Sequence, residues 1–276
     1  MKKALENLKK EIASFSVSKK LSDEKWKKIA DNCVVALMAG GMSKRFSSVS
    51  GGENKNSFKL PNGDTMVEMI IRMYRDAGIK NFVALLFYKG EDIEKLLGDG
   101  SSLGVNISYS YDPEKPVGKG GAVRHALDNG SIPKDKYLIV HNPDDVIVEG
   151  SGEFPRIIVE GHMSGVEKGA LATVVTVSET PHPYTGMKVK DGMVTQIEMY
   201  PIIPIPTHIG VTVFSPDVFP LFEELFDLSK KSDFEKVLFP VLSNRKQLFA
   251  LEVPSNAWIA VNNPKSYEEL LKVLGI

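Results

Sequence analysis

An apolar run, Cys33 to Ala39, ends abruptly in Gly40-Gly41 and is followed at once by the cations Lys44 and Arg45. A run this short and this apolar reads as a strand buried on both faces, which puts it in a parallel sheet covered by helices. The glycines let the exit loop take conformations closed to residues with a Cβ, and they let backbone N–H groups approach a bound anion. Arg45 brings a permanent charge to the same place. A strand, a tight glycine loop and a cation together describe a phosphate cradle. The plainer alternative is a strand-to-helix turn with a solvated Lys-Arg pair.

The chain then repeats the unit such a strand requires. Apolar spacing predicts helix over 65–77, where Met66, Met69, Ile70 and Met73 share a face, and further helices near 91–97 and 120–129. Strands are predicted over 82–87, 105–109 and 137–141. Repeated β-α-β units imply an α/β, Rossmann-like three-layer sandwich with a mixed, mostly parallel sheet. Ligands of such sheets bind beyond the carboxyl ends of the strands, where Gly40 and Asp144 fall. After residue 168 the pattern turns to strands over 170–177, 186–189, 193–197 and 209–214, with Asp191-Gly192 as a tight hairpin turn. Helices near 217–226 and 233–242, a strand over 248–253 and a helix over 265–274 close the chain. Pro201 to Pro206 is extended, since its prolines exclude helix. Residues 1–32 stand apart as a Lys-rich helical extension before a main domain of 33–276. We read it as a packing arm or a dimer contact, so a homo-oligomer is among the expected partners.

The 276 residues carry a formal net charge of −1, which favours neither nucleic acid nor a membrane surface as partner. The single cysteine, Cys33, excludes an internal disulfide and agrees with a reducing compartment. No apolar run approaches the roughly 20 residues that span a bilayer, and the N-terminus lacks the apolar core of a secretory signal. A cytoplasmic protein is expected. The absence of hexapeptide repeats argues against an appended β-helix.

Ala39-Gly40-Gly41-Met42-Ser43-Lys44-Arg45-Phe46 resembles the Ala-Gly-Gly-x-Gly-Thr-Arg-Leu loop of the sugar-phosphate nucleotidyltransferases, with Ser43-Lys44 in place of Gly-Thr. Pro116-Val117-Gly118-Lys119-Gly120-Gly121-Ala122 resembles the same family's Pro-Leu-Gly-Thr-Ala-Gly-Ala. The resemblance covers about 33–275, more closely before residue 145 than after it. It implies a fold of the nucleotide-diphospho-sugar transferase type. It also implies a nucleotide bound by Met38, Ala39, Gly40, Gly41, Gly118, Gly120 and Gly121, with Arg45 on the phosphates being split. His141-Asn142-Pro143-Asp144-Asp145 is similar to the family's Asn-Gly-Asp, which makes Asp144 a ligand of Mg²⁺ and Asp145 the alternative. Trp258 to Pro264 resembles the N-acetylglucosamine-1-phosphate uridylyltransferase branch, which makes Asn262 the second ligand; the other reading of this asparagine is a cap on the last helix. A phosphate-neutralising lysine is expected after the first loop, either Lys59, which we favour, or Lys55. The intervening 47–56 is Gly/Ser-rich and reads as mobile.

The sugar side keeps Gly186 and Gly210 as substrate-binding positions, while Met199-Tyr200 replaces the family's Glu-Lys. The expected reaction joins a nucleoside triphosphate to a sugar 1-phosphate, with Mg²⁺, and releases pyrophosphate. The alternatives are a glycosyltransferase that uses a sugar-nucleotide donor, and a non-catalytic nucleotide-sugar binding protein.

Overall fold

The computed structural model describes residues 2–276 and leaves Met1, the first residue of the expected extension, outside the described residues. Two helices, α1 (Lys2–Ile12) and α2 (Asp23–Asp31), precede the sheet. Then follow β1 (Cys33–Met38), a 3-10 turn over Lys44–Phe46, α3 (Ser47–Ser50), α4 (Met66–Asp76), β2 (Asn81–Leu86) and α5 (Gly90–Leu97). Next come β3 (Asn106–Tyr111), α6 (Gly118–Asp128), β4 (Tyr137–His141), β5 (Asp145–Ile147) and α7 (Phe154–Val166). The second half contributes β6 (Ala172–Val177), β7 (Thr180–Pro181), the hairpin β8 (Gly186–Lys190) and β9 (Met193–Glu198), β10 (Ile202–Ile203) and β11 (Thr207–Phe214). It ends with α8 (Phe219–Leu225), α9 (Phe234–Asn244), β12 (Leu248–Val253), β13 (Trp258–Ala260) and α10 (Pro264–Leu274).

Seven strands form the main sheet in the order β12-β6-β11-β4-β1-β2-β3. All neighbours are parallel except β11, which runs antiparallel to both β4 and β6. Successive side chains of β1 point to opposite faces, and the core divides accordingly. Val35 and Leu37 pack with α4, α5 and α7, whereas Val34 and Ala36 pack with α6, α8 and α9. The result is the expected three-layer sandwich.

A smaller third core fixes the loop after β1. Phe46 is 1% exposed and meets Phe58 and Tyr267 edge-on, at 5.9 and 5.5 Å between ring centroids, beside Leu60, Val146 and Ile259. Asn54 donates from Nδ2 to the carbonyls of Ala39 and Tyr88, 3.1 Å each. Asn54, Lys55 and Asn56 are all buried. The segment read as mobile is therefore tied down where it passes the end of β1, and its polar composition serves internal hydrogen bonds rather than solvent.

Helix α7 and strand β5 are among the elements that escaped the sequence reading. Helix α7 carries Glu160, Gly161, His162 and Gly165 on buried positions, so its apolar period is broken. The glycines admit neighbours closely: a Cβ on Gly161 would lie 2.7 Å from the Leu251 side chain. Strand β5 pairs antiparallel with the distant β13, Asp145 opposite Ala260. The extension lies along α7, where the Lys19 N–H donates to Ser164 Oγ and the Leu21 N–H to Glu160 Oε1.

Candidate active site

Two adjoining compartments open at the carboxyl ends of β1 to β4. The larger, about 310 Å³, is lined by Met38, Gly40 and Gly41 after β1, Leu85 and Leu86 at the end of β2, Asp112 after β3, Gly118 and Lys119 opening α6, and Asn142 and Asp144 after β4. The second, about 250 Å³, is lined by Ser43, Lys44, Arg45, Lys55, Asn56 and Asn262. Met38, Gly41 and Asp144 belong to both. The larger compartment sets apolar walls (Met38, Leu85, Leu86, Pro116 and Ala122) beside the mixed charges of Asp112, Lys119, Lys231 and Asp233, the smaller one gathers three cations, and Asp144 stands at their junction.

The glycine doublet divides its work. A Cβ on Gly40 would come within 2.8 Å of the Phe87 nitrogen, so this glycine lets the loop close onto the exit of β2. Gly41 faces open space and lines both compartments, whereas Gly40 lines the larger one alone. Ala39 is fully buried and lines neither compartment. Ser43 adopts φ 48°, in the left-handed region, where the motif it resembles carries glycine. Arg45 is exposed beside it, and among the described residues no side chain pairs with its guanidinium.

Lys55, and not Lys59, is the lysine of the cleft. Lys55 is 6% exposed; its Nζ lies 2.5 Å from Asp144 Oδ2 and donates to the Val261 carbonyl at 2.9 Å. Lys59 is held in a backbone bridge to Thr65 and exposes its side chain outside both compartments. Three residues, Asn56, Ser57 and Phe58, separate the two lysines, and only the path of the loop decides between them. Asn56 was not singled out by its sequence context, yet it lines the cationic compartment with a buried amide oxygen that has no hydrogen-bond partner.

Asp144 and Asp145 take opposite environments. Asp145 is 8% exposed and accepts from Trp258 Nε1 and Asn142 Nδ2, both at 2.9 Å. Burial, reinforced by the Asp144 charge, holds its carboxyl well above the usual carboxylate range. It therefore braces the β5–β13 pair, and Asp144 is the carboxylate presented to the cleft. His141 sits between the Tyr74 hydroxyl and the Asp145 carbonyl, 2.9 Å from each, and burial lowers its pKa to about 4. It is a neutral strut under the turn. The asparagines near the last helix also divide: Asn263 caps α10, with its Oδ1 accepting the Ser266 N–H at 3.1 Å. Asn262 keeps its side chain for the compartment it shares with Asp144 and Lys55.

Other sequence candidates prove to be packing positions. A Cβ on Gly120 would fall 1.9 Å from the Phe226 ring, and one on Gly121 2.7 Å from Val117. Those two glycines seat α6 against its neighbours, and of the three expected there only Gly118 lines the cleft. Gly210, at φ 74°, lies under Asp145, whose Oδ2 would be 1.9 Å from a Cβ there. Gly186 stands on the exposed β8–β9 hairpin against Pro201. Neither of the expected sugar positions lines either compartment.

A cleft at the carboxyl ends of parallel strands is where sheets of the α/β class bind their ligands, and comparison with known proteins adds the family. Residues 34–274 match the family described as nucleotidyl transferase, and the chain belongs to that family. It is 32% identical over 194 residues to the low-salt glycan biosynthesis nucleotidyltransferase Agl11 of Haloferax volcanii, covering 68% of this chain and 51% of that protein. It is 24% identical over 238 residues to the mannose-1-phosphate guanylyltransferase catalytic subunit beta of Xenopus tropicalis, covering 84% and 61%. The chain thus spans about half to three fifths of the length of these relatives. Its fold matches a Bacillus anthracis structure described as a glucose-1-phosphate thymidylyltransferase in complex with a sucrose, with a TM-score of 0.64 at 18% identity over 86% of this chain and 93% of that one. Among the described residues no helix is long and apolar enough to cross a membrane.

Proposed function

We propose that this chain transfers a nucleotidyl group from a nucleoside triphosphate to a sugar 1-phosphate. The observation that carries the reading is the cationic compartment of Lys44, Arg45 and Lys55 joined through Asp144 to a larger one with apolar walls. A phosphate oxygen of the sugar phosphate attacks the α-phosphorus; the new P–O bond forms as the bond to the β-phosphate oxygen breaks, and pyrophosphate leaves. No covalent enzyme intermediate is required, so the protein contributes position and charge. Gly41 supplies close backbone approach. Arg45 and Lys55 neutralise charge that grows on the departing pyrophosphate. Agl11 is named only as a nucleotidyltransferase, and the Xenopus tropicalis relative, named for guanylyl transfer, is 24% identical, so kinship leaves the base open.

The donor set fits a hard divalent cation. Asp144 offers a carboxylate and Asn262 an amide oxygen, the ligand types Mg²⁺ prefers, and Mg²⁺ commonly takes few protein ligands and completes its shell with phosphate and water. Among the described residues there is no cluster of three or more His, Cys, Asp or Glu that would hold a metal without substrate. Bound there, Mg²⁺ would polarise the α-phosphate and screen its charge. Lys55, paired with Asp144 Oδ2, would hold that carboxylate in place for the cation and stand beside the phosphates.

The test is pyrophosphate release with Mg²⁺ over a panel of triphosphates and sugar 1-phosphates. Arg45→Ala should lower turnover roughly a hundredfold or more, the scale of losing one such electrostatic contact, and Asp144→Asn should raise the Mg²⁺ requirement. Turnover unchanged in Arg45→Ala would remove this residue from the mechanism.

A further inference from the structure

The larger compartment holds a polar group that the transfer chemistry does not use. Asp112 directly follows β3, and its backbone N–H donates to the Leu86 carbonyl at 2.8 Å. Its Oδ2 accepts the Val117 N–H at 3.1 Å, which closes the loop leading into α6. Among the described residues this is the one hydrogen bond its carboxylate makes, so Oδ1 and the second lone pair of Oδ2 remain free. Of the other charged groups lining this compartment, Lys119 pairs with Glu235 and Asp233 accepts the Lys119 N–H, while Lys231 is an exposed cation with no ion pair among the described residues. Asp112 is half-buried, and burial raises its carboxyl above the ordinary range, offset by the Val117 N–H and by the charges of His125 and Lys231.

Charge fixes which way a nucleotide lies. In the larger compartment Lys119 is paired with Glu235, and Lys231 is offset by Asp112 and Asp233; the excess of positive charge lies with Lys44, Arg45 and Lys55, so the triphosphate belongs there and the base is delivered to the larger compartment, between the apolar walls of Met38, Leu85, Leu86, Pro116 and Ala122. There it meets a carboxylate that can only accept. Guanine presents two adjacent donors, N1–H and the N2 amino group, to such a partner. Uracil and thymine present one N–H flanked by two carbonyl oxygens, and adenine and cytosine present an amino group beside a bare ring nitrogen. Each of those would set a lone pair against the carboxylate, which costs affinity as surely as a lost bond.

We propose that Asp112 reads the Watson–Crick edge of guanine, and that the nucleotide used by this chain is a guanosine triphosphate. The inference rests on the transferase reading and adds the base to it.

The test is equilibrium binding to the full chain with Mg²⁺ and no sugar phosphate, by calorimetry, for GTP, ITP, XTP, UTP, dTTP and ATP. GTP should bind at least tenfold more tightly than ITP, which lacks the N2 amino group, and tighter still than the pyrimidine triphosphates. Asp112→Asn should reverse the choice between GTP and XTP, because an amide can accept N1–H and donate to the xanthine C2 carbonyl; a misfolded variant cannot gain that preference. Tighter binding of UTP, dTTP or ATP would overturn the assignment of the base while leaving the transferase intact. An Asp112→Asn protein that loses GTP and UTP equally would place Asp112 on the ribose and also overturn it. Failure of every triphosphate to bind would overturn the transferase reading itself.

Discussion

Replacing Lys55 by alanine should cost both stability and turnover, and replacing Lys59 should cost neither. The side chains of Lys55 and Asp144 are 8% and 24% exposed and meet at 2.5 Å. Removing one partner of a fully buried ion pair costs about 3–5 kcal/mol. With a quarter of Asp144 in solvent, screening brings the expected loss to about 2 kcal/mol. For a chain of this size that is a fall of roughly 5 °C in Tm, measurable by calorimetry. The same change removes a cation from the compartment proposed for the triphosphate, so turnover in a pyrophosphate-release assay should fall about a hundredfold or more. Lys59 is exposed and makes no ion pair among the described residues, so Lys59→Ala should stay within about 0.5 kcal/mol of the parent and keep its rate. Loss of turnover in Lys59→Ala, with Lys55→Ala still active, would refute the placement of the phosphate lysine.

Three further outcomes follow from the geometry. Gly120→Ala should destabilise the fold by about 3 kcal/mol or more, because the methyl would enter the Phe226 ring, whereas Gly41→Ala should fold normally and lose nucleotide affinity. Urea melts beside nucleotide titrations separate these effects, and normal stability of Gly120→Ala would count against the packing role. Burial lowers the pKa of His162 to about 3 from an ordinary 6.5, so the histidine stabilises the fold fully above pH 6.5 and progressively less as pH falls toward 3. By pH 4.5 its share of the loss is about 3 kcal/mol, and His162→Gln should flatten the stability curve over that window; an unchanged slope would contradict the assignment. Phe46→Ala should cost about 3–5 kcal/mol as a core truncation and loosen the phosphate loop, detectable as faster amide exchange over 44–56.

The sheet was legible in the chain because buried strands advertise themselves: 137–141 and 248–253 have the bounds that their apolar runs suggest. Helix α7 was not, since glycines and hydrogen-bonded polar groups replace its apolar stripe. His162, for example, bonds Thr173 and Ser215 inside the core. Motif matching located the cleft through Gly41, Arg45, Gly118, Asp144 and Asn262, all of which line it. It could not tell a glycine that faces a ligand from one that faces a phenyl ring, as Gly120 does, because both are written with the same letter. Nor could it choose between Lys55 and Lys59, or find Asp112 and Asn56. Those depend on where an irregular loop turns, and no periodicity records that.

The most direct test of the account is to follow both products in one reaction. The full chain would be incubated with Mg²⁺, each nucleoside triphosphate and each sugar 1-phosphate, with nucleotide sugar quantified by mass spectrometry and pyrophosphate by a coupled assay. Nucleotidyl transfer predicts equal amounts of the two with a matching pair, and neither when the sugar phosphate is withheld. Pyrophosphate formed without a sugar phosphate, or triphosphates that bind and never yield a nucleotide sugar, would contradict it.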